Sequence, residues 1–360
     1  MTTPAADSGR GKLRGDLWIK GTPSVYTADQ VNQWLKKIKY PGDLNSLQPN
    51  LETLCLLARL NLTTFPFENT AMHYSAEHWM DITYKSLFRR MVESDSGKGS
   101  YCFGLNGLFC QMLKALGFRV YTGSGRINEQ PPEAPPIFHA FVHMILFVQP
   151  TEGSNTTYLV DVAAGPVRPI LLEEGEKVMG ASPSESHVLS RTARAESSLE
   201  SLPNSQVPEK FEWRLESVHD VKDSGSEKPK STRRVMYSFI EDEFFDADFK
   251  AFNFSVVGLT SGLFWDNVVC TKFFWMTDEE VREVNGGVTD IMSLTPLTRY
   301  LGRLAMAGNV VRRHVGTKTT VLKVMKTEED RAEALRKVFG IDIPEEDLRY
   351  IQGRGAELKA

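Results

Sequence analysis

Cys102 stands after a small, flexible run and opens an apolar one, in GKGSYCFGLNGLFCQMLKALGF (97–118). Ser100 is a suitable helix N-cap, which places Cys102 in the first turn. Unpaired N–H groups and the helix dipole concentrate positive potential there, and Lys98 adds a nearby cation. Such a place favours the thiolate, the nucleophilic form of cysteine. The competing reading is a small buried hydrophobe. Cys110 falls mid-helix eight residues on, Cys55 lies within another helical stretch and Cys270 within an apolar strand-like one. None of the three has a helix start, and all read as core.

A nucleophilic thiol needs a base, and the base needs an orienting group. Seven histidines are present. His73 and His78 flank a loop-to-helix stretch without an evident third metal ligand, His187 and His219 fall in or near polar loops, and His314 follows two arginines. His139 and His143 remain, before and within FVHMILFV (141–148). If this run and TYLVDVA (157–163) form a hairpin with Val148 opposite Tyr158, Ile145 faces Asp161. His143 is then a diagonal neighbour of Asp161, roughly 7–8 Å away between Cβ atoms or less. In that register His139 lies roughly 20 Å further along the strand. An acid inside YLVDVAAG is costly to bury without a partner, and an imidazole is a natural one. Cys102, His143 and Asp161 thus form a constellation suited to papain-like chemistry.

The 360-residue chain that must position these groups is 41% hydrophobic and 24% charged, ordinary for a globular protein of two or three domains. A formal net charge of −4 gives no basic excess for nucleic acid. Four scattered cysteines provide neither a disulfide framework nor the CxxC spacing of a structural zinc site. No signal-like segment or membrane span is evident, so a reducing, cytoplasmic setting is expected.

Residues 1–15 read as a disordered arm. Helical patterns follow at 27–38, around 51–58, at 82–94 and from about 102 to 117, giving an N-terminal helical domain over 1–117. Short aromatic and β-branched runs at 118–128, 141–148, 157–163, 209–218 and 233–240 predict a β-rich domain over 118–240. The Ser-rich stretches 182–206 and 222–234 read as surface loops or insertions. Residues 241–360 mix strand-like FWDNVVCTKFFW and GTKTTVLKVM with a capped helix at 327–340, a third, α+β domain.

The pieces FPFEN (65–69), KGSYCFGLNGLFCQMLKALGF (98–118), VHMILFV (142–148) and YLVDVAAG (158–165) carry a resemblance. With them the chain resembles the arylamine N-acetyltransferase family, its eukaryotic, fungal branch most closely. SGLFWDNVVCTK (261–272) and EEDRAEALRKVFGI (328–341) are weaker but consistent. The resemblance implies an α+β, papain-like cysteine fold with a helical bundle, a central β-barrel and a C-terminal α/β lid. It implies a ping-pong acyl transfer from acyl-coenzyme A as cosubstrate, with no permanently bound cofactor, to an arylamine or hydrazine. Cys102 is then the acyl acceptor, His143 its base and Asp161 the orienting acid. Phe67, Ala164 and Phe264 match pocket positions, with ordinary core as the alternative for the two rings, and Ser261 matches a polar position near the coenzyme. For the coenzyme phosphates the candidates are loose: GSGR (123–126), RRH (312–314) and Lys318.

The sequence departs from the family in two places. The family's R-G-G before its cysteine is here Lys98-Gly99-Ser100, so the arginine's pair with the F-E-N glutamate becomes an expected Lys98–Glu68 ion pair without bidentate geometry. V-G-F-G after the aspartate is here DVAAG, and Ala164 replaces a pocket aromatic, opening room for a donor bulkier than acetyl, such as malonyl, or for a larger amine. A papain-like hydrolase or transglutaminase uses the same triad and stays an alternative, as does an inactive scaffold. Ala164→Phe should lower malonyl- relative to acetyl-coenzyme A turnover. An unchanged donor ratio contradicts the pocket reading.

Overall fold

The computed structural model describes residues 10–43, 47–163, 165–194, 196–199, 211–221, 230–284 and 294–359. Helix α1 (Ala28–Lys37) starts in a Thr27/Gln30 capping box, and α2 (Leu51–Thr64) starts where Asn50 accepts from the Thr53 N–H. The two-residue strand β1 (Phe67–Glu68) follows, then α3 (Tyr84–Phe88), which runs on into a π-turn at Arg89–Glu93. Helix α4 (Cys102–Ala115) has twelve buried residues and forms the centre of the largest apolar cluster. It ends at Gly117, whose φ of 84° favours glycine.

Eight strands form a nearly closed barrel: β2 (Arg119–Ile127), β3 (His143–Gln149), β4 (Tyr158–Val160), β5 (Ile170–Leu171), β6 (Val178–Met179), β7 (Glu185–Thr192), β8 (Glu212–Val221) and β9 (Lys230–Phe239). Their order is β5-β4-β3-β2-β9-β8-β7-β6. Alternation divides the strands cleanly. Ile145, Phe147, Leu159, Leu215, Tyr237 and Phe239 fill the barrel, while Met144, Leu146 and Val148 pack with α4. Beyond it come α5 (Asp246–Gly258), α6 (Leu263–Asp266), β10 (Val269–Trp275), α7 (Asp278–Val284), β11 (Leu301–Ala307), β12 (Val310–Val315), β13 (Lys318–Val324) and α8 (Glu328–Ala334). A second sheet has the order β1-β10-β11-β12-β13, so the helical segment contributes an edge strand to the C-terminal sheet.

Three expectations change. Within the Ser-rich stretch expected to be loop, residues 185–192 form β7, because His187, Val188 and Leu189 are buried against the barrel. Part of the expected arm docks instead: Lys12 bridges to Thr156 and Leu13 enters the barrel's apolar cluster. Ser100 does not cap α4; Tyr101 holds that position without a side-chain cap, and Ser100 Oγ accepts from Arg90 Nη2 at 3.1 Å. Residues 1–9 of the expected arm, and much of the two expected loops, lie outside the described residues.

His73 ties three parts of the fold together. Its Nε2 donates to the Phe264 carbonyl at 2.9 Å and its Nδ1 accepts from Arg354 Nε at 3.4 Å. Burial, then the Arg354 charge, push its pKa down to about 3. The unfolded ring takes a proton below about pH 6.5, whereas the folded ring stays neutral, so acid favours unfolding by about 1.4 kcal/mol per pH unit in that window. His73→Asn should therefore show a smaller fall in Tm between pH 6.5 and 4.5 than the unsubstituted protein. An equal fall contradicts the neutral, buried role.

Candidate active site

Backbone contacts set the start of α4. Gly99 presses so close to Pro66 that an added Cβ would sit 1.8 Å from the Pro66 carbonyl oxygen. Ser100 N–H donates to that carbonyl at 3.3 Å, and Glu68 N–H donates to Ser100 O at 3.0 Å. The expected Lys98–Glu68 ion pair is absent: Lys98 forms no ion pair among the described residues, and Glu68 Oε2 instead accepts from Thr70 N–H at 2.6 Å. The strand-like backbone joint holds the two segments together without it. Cys102 is the first residue of α4, 5% exposed, with Sγ 3.6 Å from the Val142 carbonyl oxygen.

The barrel brings up the other two groups. Val148 stands opposite Tyr158, the register expected from sequence. His143 Nε2 bonds Asp161 Oδ2 at 2.7 Å, which leaves Nδ1 for a thiol, and Cys102 is close enough to raise the ring's proton affinity. Burial alone would drive the ring toward neutrality. The Asp161 charge and hydrogen bond, aided by Cys102, outweigh it and raise the His143 pKa to about 10. Burial likewise opposes ionisation of Asp161, but His143, Asn106 and the Ala163 N–H hold its pKa below the usual carboxylate range. By contrast, His139 pairs with Glu129 on an exposed segment, and burial pushes Cys110 up to about 12.

Two residues near Asp161 escaped the sequence reading. Asn106, one turn after Cys102, donates to Asp161 Oδ1 at 2.9 Å and to the Met144 carbonyl at 2.8 Å, and accepts from Val162 N–H at 2.9 Å. A lone amide in the apolar run CFGLNGLFC was the available signal. Tyr237 packs its ring 4.9 Å from that of His143, and its hydroxyl interacts with Asp161 without completing a well-aligned hydrogen bond. Gly125 leaves room for this packing: an added Cβ would be 3.3 Å from the Tyr237 ring.

Aromatic rings gather beside the nucleophile. Phe264 lies 6.1 Å from Phe67 and 5.8 Å from Tyr101, which precedes Cys102. Asn69, the last residue of FPFEN, fixes that wall by donating to the Phe264 and Asn267 carbonyls at 3.2 and 2.9 Å and accepting from Val269 N–H at 2.7 Å. Ser261 is exposed on the turn before α6, and Ala164 lies outside the described residues. Of the loose phosphate candidates, Arg126 stacks on Phe141, while Arg313 and Lys318 pair with Glu280 and Glu283. Among the described residues no group of acids, histidines and cysteines could hold a metal ion.

Because Asn106 acts through Asp161, Asn106→Leu should reduce acylation of Cys102 by about 10- to 100-fold, and Asp161→Asn by about 100- to 10,000-fold. Asn106→Leu should also move the alkaline limb of the acylation profile to higher pH, since a carboxylate that has lost a donor is the stronger base and holds the His143 proton more tightly. Acylation rates measured over pH 6–10 check both. An unmoved limb contradicts the positioning role of Asn106.

Residues 50–281 match the N-acetyltransferase family model. The N-malonyltransferase FDB2 of Fusarium pseudograminearum is 25% identical over 353 residues, covering 92% of this chain and 93% of that protein. The solved arylamine N-acetyltransferase of M. tuberculosis superposes with a TM-score of 0.64 at 20% identity, over 89% of this chain and 99% of that one. The Mycobacterium marinum enzyme, solved in complex with CoA, gives 0.59 at 22% identity, over 91% and 96%. The fold is the α+β, papain-like cysteine fold of these enzymes, and among the described residues no helix is long and apolar enough to cross a membrane. With the family matched over most of its length, the chain belongs to the arylamine N-acetyltransferase family of acyltransferases.

Proposed function

We propose that this enzyme moves an acyl group from a coenzyme A thioester to an aromatic amine or hydrazine by a ping-pong route through Cys102. The observation that carries the reading is the 2.7 Å His143–Asp161 bond, with Cys102 near enough to act on the same ring. The Cys102 thiolate adds to the thioester carbonyl carbon. The carbon–sulfur bond to coenzyme A breaks, and the His143 imidazolium gives its proton to the departing thiolate. The acyl group is then held as a Cys102 thioester, an exchange that is nearly balanced in energy. The amine nitrogen attacks this thioester, passes a proton to His143 and releases Cys102 as a thiolate. An arylamine suits the second half because it is largely neutral, hence nucleophilic, near pH 7.

A hydrolase or transglutaminase would use the same three groups. The half-buried rings of Phe67 and Phe264 favour an aryl acceptor, since they offer faces against which an aromatic amine can stack. Acetyl and malonyl are both candidate acyl groups. The similarity to an N-malonyltransferase over 92% of the chain supports including the latter.

Intact-mass measurement after mixing with acetyl- or malonyl-coenzyme A should show the gain of one acyl group, located on Cys102 by peptide mapping. An arylamine should discharge it as the N-acyl product, and Cys102→Ser should prevent the gain. Rapid discharge by water alone would favour the hydrolase, and failure to acylate would contradict the transferase reading.

A further inference from the structure

Arg59 and Arg331 are both almost fully buried, at 1% and 0% exposure. Arg331 has its acid: Nη1 lies 3.0 Å from each carboxylate oxygen of Glu328, and Nη2 donates to the Ala356 carbonyl. Arg59 has none. Its Nε donates to the Pro296 carbonyl at 2.7 Å, its Nη2 donates to the Arg299 carbonyl, and its guanidinium lies 5.2 Å over the Trp275 ring. Nη1 is buried without an acceptor.

A second guanidinium stands nearby. Arg168 is half-buried, seven residues beyond Asp161, and its Nη1 reaches Cys55 Sγ at 3.8 Å. Its Nε is also buried without an acceptor. Cys55 and Arg59 are one turn apart on α2 and share a face. Neither arginine has a carboxylate within 4 Å among the described residues, and Glu52 on the same helix is exposed. Burial and the charge of Arg168 push the Arg59 pKa down to about 9. Buried like charges without a counter-charge are unfavourable. An oxyanion between them would offset the repulsion and use the idle N–H groups in the forked geometry that guanidinium favours.

We infer that Arg59 and Arg168 form a binding site for an oxyanion, a carboxylate or phosphate carried by the acyl donor, with Arg59 as its floor and Arg168 at its mouth. The assignment to the donor rests on the acyl transfer proposed above. Arg168 follows the segment that carries Asp161, and Ala163 and Val167 share one apolar cluster with Cys102. A coenzyme A thioester carries this chemistry at two places: phosphates on the carrier, and a free carboxylate when the acyl group is dicarboxylic.

Three donors separate the sources: acetyl-coenzyme A, malonyl-coenzyme A and S-acetylpantetheine, which carries neither anion. Arg168→Met should raise KM at least about tenfold for the anionic donors that use the site, leave S-acetylpantetheine unchanged, and Arg168→Lys should restore part of the loss. A loss confined to malonyl-coenzyme A assigns the carboxylate, and an equal loss for both coenzyme donors assigns a phosphate. Unchanged KM values, or equal changes for all three donors, overturn the site. Melting measurements need no turnover: malonate or inorganic phosphate should raise the Tm of the unsubstituted protein and not that of Arg168→Met. A selective Tm rise without acyl transfer would keep the anion site and sink the donor assignment; no Tm rise with either anion overturns the site.

Discussion

A carboxylate ionised inside an apolar wall is the constraint on which the site depends. Asp161 is 1% exposed, and such a group stays charged only when its oxygens are satisfied. Asn106 and the Ala163 N–H serve one oxygen and His143 serves the other. These partners come from α4, from the Asp161 segment itself and from β3, so the carboxylate knits helix and barrel together. Even Gly165 belongs to this arrangement, since an added Cβ would lie 2.6 Å from Asp161 Oδ2. Losing one partner leaves a buried charge poorly compensated, which is why the electrostatics of His143 and the packing of α4 on the barrel are one problem.

The rest of the scaffold aims the thiol at that ring. A residue's backbone, not a side-chain ion pair, positions the start of α4: Gly99 lies against Pro66, and Ser100 is laced to Pro66 and Glu68. The same β1 that makes this joint pairs with β10 in the C-terminal sheet. Asn69 and His73 then fix the carbonyl of Phe264, so the aromatic wall is held from the backbone while its ring stays free to meet an acceptor. Arg354 closes the chain of contacts by bonding His73 and stacking 4.3 Å over Trp265.

Much of the site was legible because it follows short-range rules. The apolar run around His143, the acid within YLVDVAAG and the loop between them fixed a register that needed no distant information. The α4 start was legible from its small residues and apolar run, although the cap was misplaced by one residue because Ser100 turns to Arg90. Strand β7 was hidden by a Ser-rich composition, and β11 and β12 by arginines and small residues that weaken alternation. Asn106 and Tyr237 could not be assigned from sequence, because their meaning lies in which distant carboxylate they meet. The Lys98–Glu68 pair failed for the converse reason: neighbouring backbone already made the joint, and Glu68 turned to Thr70.

The central claim is that Asp161 keeps the buried His143 ring protonated beside Cys102. Its most direct test is a nitrogen-15 NMR titration of the His143 ring in the unsubstituted protein and in Asp161→Asn. The account predicts an imidazolium that persists through neutral pH and titrates near 10, with the buried ring becoming neutral at pH 7 once the carboxylate is replaced. Titration near the ordinary histidine value of about 6.5 in both proteins would contradict it.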